Sequence, residues 1–307
     1  VKIQKSNEEN KTIYAENIII ATGSKPRTIP NIDVDEKIIM TSDGVDHMKS
    51  FPKSMVIVGA GVIGCEYATI FSNFGKTKVC LIDRSDRILP FEDSDISEMI
   101  SKNLKEKGVT IHNKAQLERL EVKDGEVEYE LSYKDGKKEV IRVEKALLSV
   151  GRKLCIDGLK MENAGVTLSK RGVHIGDINT QTNIANIYVV GDASGHISLV
   201  NVGELEGRYA VERIFSKKYY PLNYKNICTI MFLQPEVASV GINEKTCIEE
   251  NIPVKVVKLD YSCIARAIAM RKTEGFFKII VSDDKKMKIL GMRAVGEHAS
   301  SAIQGVG

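Results

Sequence analysis

The sequence predicts an α/β chain, a parallel sheet wound with helices and continued by a smaller α+β domain. Three observations predict it. An apolar strand, Met55-Val56-Ile57-Val58, runs into the turn Gly59-Ala60-Gly61-Val62-Ile63-Gly64, a helical stretch and a second strand that ends at Asp83. Two further strands, Asn17-Ile18-Ile19-Ile20-Ala21-Thr22-Gly23 and Ala146-Leu147-Leu148-Ser149-Val150-Gly151, finish in similar small-residue glycine turns, as if the chain crosses twice between domains. After Pro221-Leu222 the pattern becomes closely spaced strands with one short helix, which suits a separate unit.

Taken in order, Val1–Gln4 and Thr12–Tyr14 read as strand pieces around a polar hairpin, Ser6–Lys11, and Asn17–Ala21 reads as a buried strand. A domain does not ordinarily begin with the last strands of a sheet, so a preceding segment is expected. Residues 25–54 form a proline-punctuated connection. Then come a helix over Val62–Phe74, a strand over Val79–Ile82, a helix over Asp95–Lys107 and a strand over Val109–Asn113. An antiparallel meander follows, turning at Lys123-Asp124-Gly125 and at Lys134-Asp135-Gly136-Lys137. The strand Asn186–Val190 leads into Gly191-Asp192-Ala193-Ser194-Gly195 and a helix over Gly203–Lys217. Strands at Val237–Val240, Val254–Leu259, Phe276–Val281 and Ile289–Val295, with a short helix near Glu244–Glu250, complete the chain. The division expected is 1–43, 44–150, 151–222 and 223–307.

The 55–83 stretch carries chemistry. Gly59 allows a tight turn, Gly61 lets the backbone approach a pyrophosphate, and Gly64 lets helix and strand pack closely. The helix that starts at Val62 and Ile63 offers N–H groups and the positive end of its dipole to phosphates. Asp83 stands where a carboxylate accepts hydrogen bonds from a ribose 2′-hydroxyl. The pattern implies a Rossmann-like dinucleotide site. Arg84, next to Asp83, pulls the other way, since a guanidinium can receive a 2′-phosphate, but the acid favours NAD.

Composition limits the alternatives. The 307 residues are 43% hydrophobic and 28% charged with a net charge of +3, and the basic residues are interspersed with acids, so no nucleic-acid partner is expected. Apolar runs such as Ala146–Val150 are too short to span a membrane, and the expected compartment is the cytoplasm or an organelle matrix. None of the six cysteines is spaced C-x-x-C or C-x-x-x-x-C, which argues against both a disulfide framework and a metal site. Cys65, in the first turn of the phosphate-binding helix, fits a small buried side chain better than a reactive thiolate.

Five motifs stand in order along the chain: Ala21-Thr22-Gly23-Ser24, Gly59 to Glu66, Ser149-Val150-Gly151-Arg152, Ile187 to Asp192, and Pro235 to Gly241. Together the chain resembles the flavoprotein (pyridine nucleotide) disulfide reductase family, and its dihydrolipoamide-oxidising branch most. The resemblance implies Rossmann-like FAD and NAD domains, the FAD domain incomplete, plus an α+β dimerisation domain, itself incomplete, in a homodimer. It implies NAD contacts at Gly59, Gly61, Val62, Ile63, Gly64, Asp83, Arg84 and Gly151. FAD contacts are implied at Thr22, Gly23, Arg152, Gly191, Asp192, Leu199, Val200 and Asn201. Asp192 would accept from a ribityl hydroxyl, and the Leu199–Asn201 backbone would face the flavin ring. Glu66 would face the nicotinamide as the one catalytic residue of the chain.

The reaction implied moves electrons between a dithiol, small or lipoyl-borne and served in a multienzyme complex, and NAD+ through FAD. The family's paired redox cysteines, its first glycine motif and its His-x-x-x-x-Glu pair do not occur in this sequence, and none of His47, His112, His174, His196 or His298 stands in the corresponding setting. The chain by itself is therefore expected to be inactive. Two other readings stay open at this point: a soluble pyridine nucleotide transhydrogenase, toward which Asp83-Arg84 leans, and a non-catalytic NAD-binding assembly module.

Overall fold

Alternating apolar strand and amphipathic helix between residues 39 and 148 build a parallel sheet in the computed structural model, which describes residues 1–3, 11–169, 172–173, 180–216 and 220–306. Its strands are β1 (Ile39–Met40), β2 (Ser54–Val58), β3 (Lys78–Ile82), β4 (Thr110–His112) and β8 (Lys145–Leu148), in the order β1-β8-β2-β3-β4. The helices α1 (Val62–Asn73) and α2 (Ser94–Glu106) cover one face. A meander of β5 (Gln116–Lys123), β6 (Glu126–Ser132) and β7 (Lys138–Val143) covers the other. The period-2 pleat divides the strands between these layers. Met55 and Ile57 pack with Ala68 and Phe71 of α1 and with Ile96, Ile100 and Leu104 of α2. Val56 and Val58 pack with Leu120, Val127, Tyr129 and Leu131 of the meander.

The C-terminal residues form an antiparallel sheet of β9 (Thr229–Met231), β10 (Val237–Gly241), β11 (Val254–Asp260), β12 (Phe276–Ser282) and β13 (Ile289–Val295), ordered β9-β10-β13-β12-β11. Its short helix α3 (Glu244–Glu249) is capped by Asn243, whose side chain accepts from the Thr246 N–H. Met231, Leu233, Val237, Phe276 and Val295 join the core beneath α1 and α2, so both sheets share one apolar cluster. Residues 26–151 and 224–307 accordingly form one compact unit.

Residues 1–25 and 152–223 form the second unit. Ile18–Ile20 pairs in parallel with Ile187–Val189, Ile18 opposite Ile187 and Ile20 opposite Val189. A helix over Val200–Phe215 follows, and its Ala210 packs on Tyr188 and Val190. With one neighbouring strand among the described residues, Ile18–Ile20 is half-buried rather than buried, and Ile19 is exposed. Gln4, most of the Ser6–Lys11 hairpin, His174 and Lys217 lie outside the described residues.

Element boundaries differ from the sequence expectation by one to three residues, and the short elements not foreseen include β1, β9, strands at Ser24–Pro26, Arg152–Leu154, Leu168–Ser169 and Gly172–Val173, and helices over Ser42–Val45, Ala265–Ala269 and Ala299–Ile303. Each has at most five residues, too few for a period to emerge.

The packing of α1 on β2 gives a stability test. A Cβ on residue 64 would lie 1.9 Å from the Gly59 carbonyl oxygen, whereas one on residue 61 meets open space. Gly64→Ala should lower stability by at least the ~1–3 kcal/mol of overpacking. Gly61→Ala should stay within about 0.5 kcal/mol of the parent. Denaturant unfolding followed by circular dichroism measures both, and equal midpoints would refute the close approach.

Candidate functional site

The turn after β2 is held from four sides. The Gly59 N–H donates to the Ile82 carbonyl at 2.8 Å, and the Gly59 carbonyl accepts from the Ser149 hydroxyl at 2.8 Å. The Ala60 N–H donates to Asp83 Oδ2 at 2.7 Å, and the Ala60 carbonyl accepts from the Leu89 N–H at 2.8 Å. Gly59 has φ +102°, a conformation open to glycine, and a Cβ there would lie 2.5 Å from the Ser149 carbonyl. Gly61 is the N-cap of α1 and has no side chain with which to cap it, so the first N–H groups of a 12-residue helix point outward without a side-chain acceptor.

They point into a cleft of about 1010 Å³. Gly59, Gly61, Val62, Ile63, Asp83, Arg84 and Gly151 line it together, as do Ser149, Pro90 and Phe91, a wall over Arg27–Ile32, and residues 117–121 of β5. Asp83 Oδ1 accepts from the Ser85 N–H at 2.8 Å. One lone pair on each oxygen is thus committed to the loop, and the carboxylate remains fixed in place with acceptor capacity to spare. Arg84 is exposed. These features suit a dinucleotide: open space at the middle glycine, an uncapped helix start, and an anchored acid at the end of β3.

Two expected residues stand apart from the cleft wall. Gly64 is buried against Gly59 and acts through packing. Glu66, one turn into α1, spends Oε1 on the backbone N–H of Phe232 at 2.9 Å. Burial pushes its carboxyl above the usual range, and the Phe232 bond opposes that rise. Cys65 is fully buried and its thiol, pushed up by burial, donates weakly to the Ala60 carbonyl at 3.5 Å, so it is a packing residue.

In the second unit Asp192 accepts from the Ser24 hydroxyl, and the Arg152 guanidinium donates to the same hydroxyl at 2.6 Å while lying 3.6 Å from the carboxylate. Gly191 has φ +64°, and a Cβ on Gly203 would come within 3.1 Å of its Cα, so the 200–215 helix packs directly on the Gly191–Asp192 turn. Glu206, buried and on that helix, accepts from the Gly191 N–H at 2.6 Å. Leu199 is the helix N-cap without a side-chain cap, which leaves the Val200 and Asn201 N–H groups available, and Val200 is exposed. Gly23 has φ +70°, its carbonyl accepts from the Cys155 N–H, and Thr22 is exposed. An exposed helix start with an ion-paired acid beside it suits the flavin cradle expected from the resemblance.

Residues 1–207 match the family model described as pyridine nucleotide-disulphide oxidoreductase. The chain belongs to this family. Residues 227–307 match the dimerisation domain of the pyridine nucleotide-disulphide oxidoreductases, which places β9–β13 in that domain. A dihydrolipoyl dehydrogenase of Bacillus subtilis (strain 168) is 33% identical over 310 residues, covering 100% of this chain and 65% of the relative. One from Chlamydia trachomatis is 35% identical over 298 residues, covering 96% of this chain and 62% of the relative. The chain thus spans somewhat under two thirds of the length of these curated relatives. Among solved structures, the HOCl-induced flavoprotein disulfide reductase RclA from Escherichia coli is similar at a TM-score of 0.85 with 28% identity, covering 97% of this chain and 67% of that one. LpdA from Mycobacterium tuberculosis shares the fold at a TM-score of 0.88 with 24% identity, covering 99% of this chain and 65% of that one.

Sequence reasoning missed Ser149, Leu89 and Glu206, which act on backbone groups of the two glycine turns and so leave no motif of their own. Ser149 was within reach, because a small hydroxyl before Val150-Gly151 repeats the Thr22-Gly23 pattern. If Gly61 faces a ligand, Gly61→Val should abolish NADH binding in a calorimetric titration while the circular dichroism spectrum stays that of the parent. Undiminished affinity would turn the loop into a purely packed one.

Proposed function

We propose that this chain forms the nicotinamide half and part of the flavin cradle of a dihydrolipoamide-type dehydrogenase. The observation that carries the reading is the convergence of the uncapped α1 start and the anchored Asp83 carboxylate on one cleft lined by Gly59, Gly61 and Gly151. The α1 N–H groups would hold the pyrophosphate and Asp83 the adenosine ribose, which favours NAD over NADP because a carboxylate repels a 2′-phosphate. Asp192, Arg152, Gly191, Thr22, Gly23 and the Leu199–Asn201 backbone would hold FAD. When bound, flavin and nicotinamide supply the two-electron redox chemistry. The protein's own groups bind and orient.

The relatives reported above are dihydrolipoyl dehydrogenases rather than transhydrogenases, which supports a dithiol, free or lipoyl-borne, as the electron donor; a place in a multienzyme complex is part of the proposal. We assign residues 1–25 and 152–223 to the FAD domain, 26–151 to the NAD domain and 224–307 to a homodimer interface; residues 26–43, expected with the FAD domain, go with the NAD sheet because Ile39–Met40 is a strand of it. A cytoplasmic or matrix location suits these relatives, and among the described residues no helix is long and apolar enough to cross a membrane.

Titration of NADH and NADPH tests the nucleotide reading. Asp83→Asn should weaken NADH binding by the ~1.5–3 kcal/mol of a hydrogen bond to a charged group and narrow the preference over NADPH. A parent chain that favours NADPH would overturn it. The interface is tested at Phe232, which is 72% exposed between buried Met231 and Leu233. Phe232→Glu should leave the fold intact and shift sedimentation from dimer to monomer. A variant still dimeric would remove Phe232 from the contact.

A further inference from the structure

The six residues from Pro90 to Asp95 join the nucleotide cleft to the dimerisation domain. At one end Pro90 and Phe91 line the cleft. At the other Asp93 and Asp95 enter α2. Asp93 is the N-cap of α2, yet its side chain caps nothing there. Its Oδ2 lies 3.1 Å from Lys278 Nζ, and its Oδ1 accepts from the Lys245 N–H at 3.0 Å. An acid that forgoes an N-cap bond does so for a stronger partner.

The rest of the segment is held in the same way. Lys278, 4% exposed, also reaches Asp95 at 2.8 Å and Glu244 at 3.0 Å. Arg293 donates to Glu92 at 3.1 Å, and both side chains are buried. The carbonyls are taken too, Pro90 by Lys245 Nζ and Phe91 by Asn243 Nδ2, each at 2.8 Å. Every donor in this set belongs to residues 243–293, and every acceptor but Glu244 to residues 90–95. Such density on one hexapeptide exceeds what joining two domains requires, since the shared apolar cluster already joins them.

We infer that Lys278, with Arg293 and Lys245, is a positioning residue for nucleotide binding, through which the dimerisation domain sets the Pro90–Phe91 wall of the cleft. The inference rests on the reading of that cleft as a nucleotide site. Leu89, the residue before the wall, donates its N–H to the Ala60 carbonyl, so displacement of the wall would reach the phosphate turn through one hydrogen bond. The dimerisation domain thereby acts on nucleotide affinity without touching the nucleotide.

The test measures the NADH dissociation constant by the change in NADH fluorescence, and amide hydrogen exchange over residues 86–92, in the parent chain, Lys278→Met, Lys245→Ala and Lys258→Met. Lys258 serves as the control because it is partly exposed and touches the segment at its far end alone, bonding Asp95 and otherwise lying over the Phe276 ring. Lys278→Met should weaken NADH binding five- to twentyfold and speed exchange over 86–92, with an unchanged circular dichroism spectrum. Lys245→Ala, at a partly exposed side chain that can be lost without unfolding, should weaken binding two- to fivefold and keeps the test decisive if Lys278→Met does not fold. Lys258→Met should stay within twofold of the parent. If the parent binds NADH and the folded variants at 278 and 245 bind it equally well, the positioning role is wrong and the nucleotide reading stands. A parent that does not bind NADH overturns both.

Discussion

The Gly59 carbonyl oxygen occupies nearly the position that a Cβ on residue 64 would need, at a separation of 1.9 Å. Everything the first unit of the sheet presents to a ligand follows from that contact. Because α1 can lie this close to the end of β2, it starts directly at the Gly59–Gly61 turn, and its first N–H groups open into the cleft beside Asp83. A larger residue at 64 would lift the helix, break the geometry that lets Ala60 donate to Asp83, and leave a turn whose donors face nowhere in particular. The close approach is thus a steric cause with an electrostatic effect, a common arrangement where backbone rather than side chains binds the ligand.

Away from the turn the fold relies on charge where it could have used hydrocarbon. Buried ion pairs recover their desolvation cost only with close geometry and full hydrogen bonding, conditions that the Lys278 and Arg293 clusters meet. Burial works against the charge on Lys278, but its bonds to Asp95 and Glu244 more than offset this and hold it above the ordinary lysine range. Burial likewise opposes ionisation of Asp95, and Lys278 with Lys258 holds it below the usual carboxylate range. A depressed acid contributes stability above its unfolded pKa and loses it as pH falls through the folded one. A raised lysine contributes below its unfolded pKa and loses it as pH rises through the folded one. The junction is accordingly at full strength between roughly pH 4 and 10.

How much could be read in advance depended on whether a residue acts through its own side chain or through another residue's backbone. Gly59, Gly61, Gly64 and Asp83 were legible because each answers a local steric or charge demand at a set spacing, and the long elements around them were legible by period. Lys278, Arg293 and Glu92 were not, because their partners are remote in sequence and a lone lysine in a strand reads as a solvated face. Phe232 shows the limit in a single tripeptide: Met231-Phe232-Leu233 is uniformly apolar, yet its middle residue is exposed and its neighbours buried, because the chain leaves β9 there and the Leu233 N–H turns back to the Met231 carbonyl. Glu66 was legible as a helix-start acid, but its bond to Phe232 was not, since it joins residues 166 apart.

The two units interleave along the chain, residues 1–25 with 152–223 and 26–151 with 224–307, so each is built from two segments far apart in sequence. The pairing of Ile18–Ile20 with Ile187–Val189 closes a long loop, and the entropy of closing a loop grows with its length. The 26–151 segment is closed within that loop, for its two ends meet where the Arg27 N–H donates to the Gly151 carbonyl at 2.9 Å. Once closed, it leaves Lys25 and Arg152 as neighbours, and the loop between the two strands shortens by the whole of residues 26–151. The contact that closes 26–151 at its ends thus also sets the length of chain the other unit has to close.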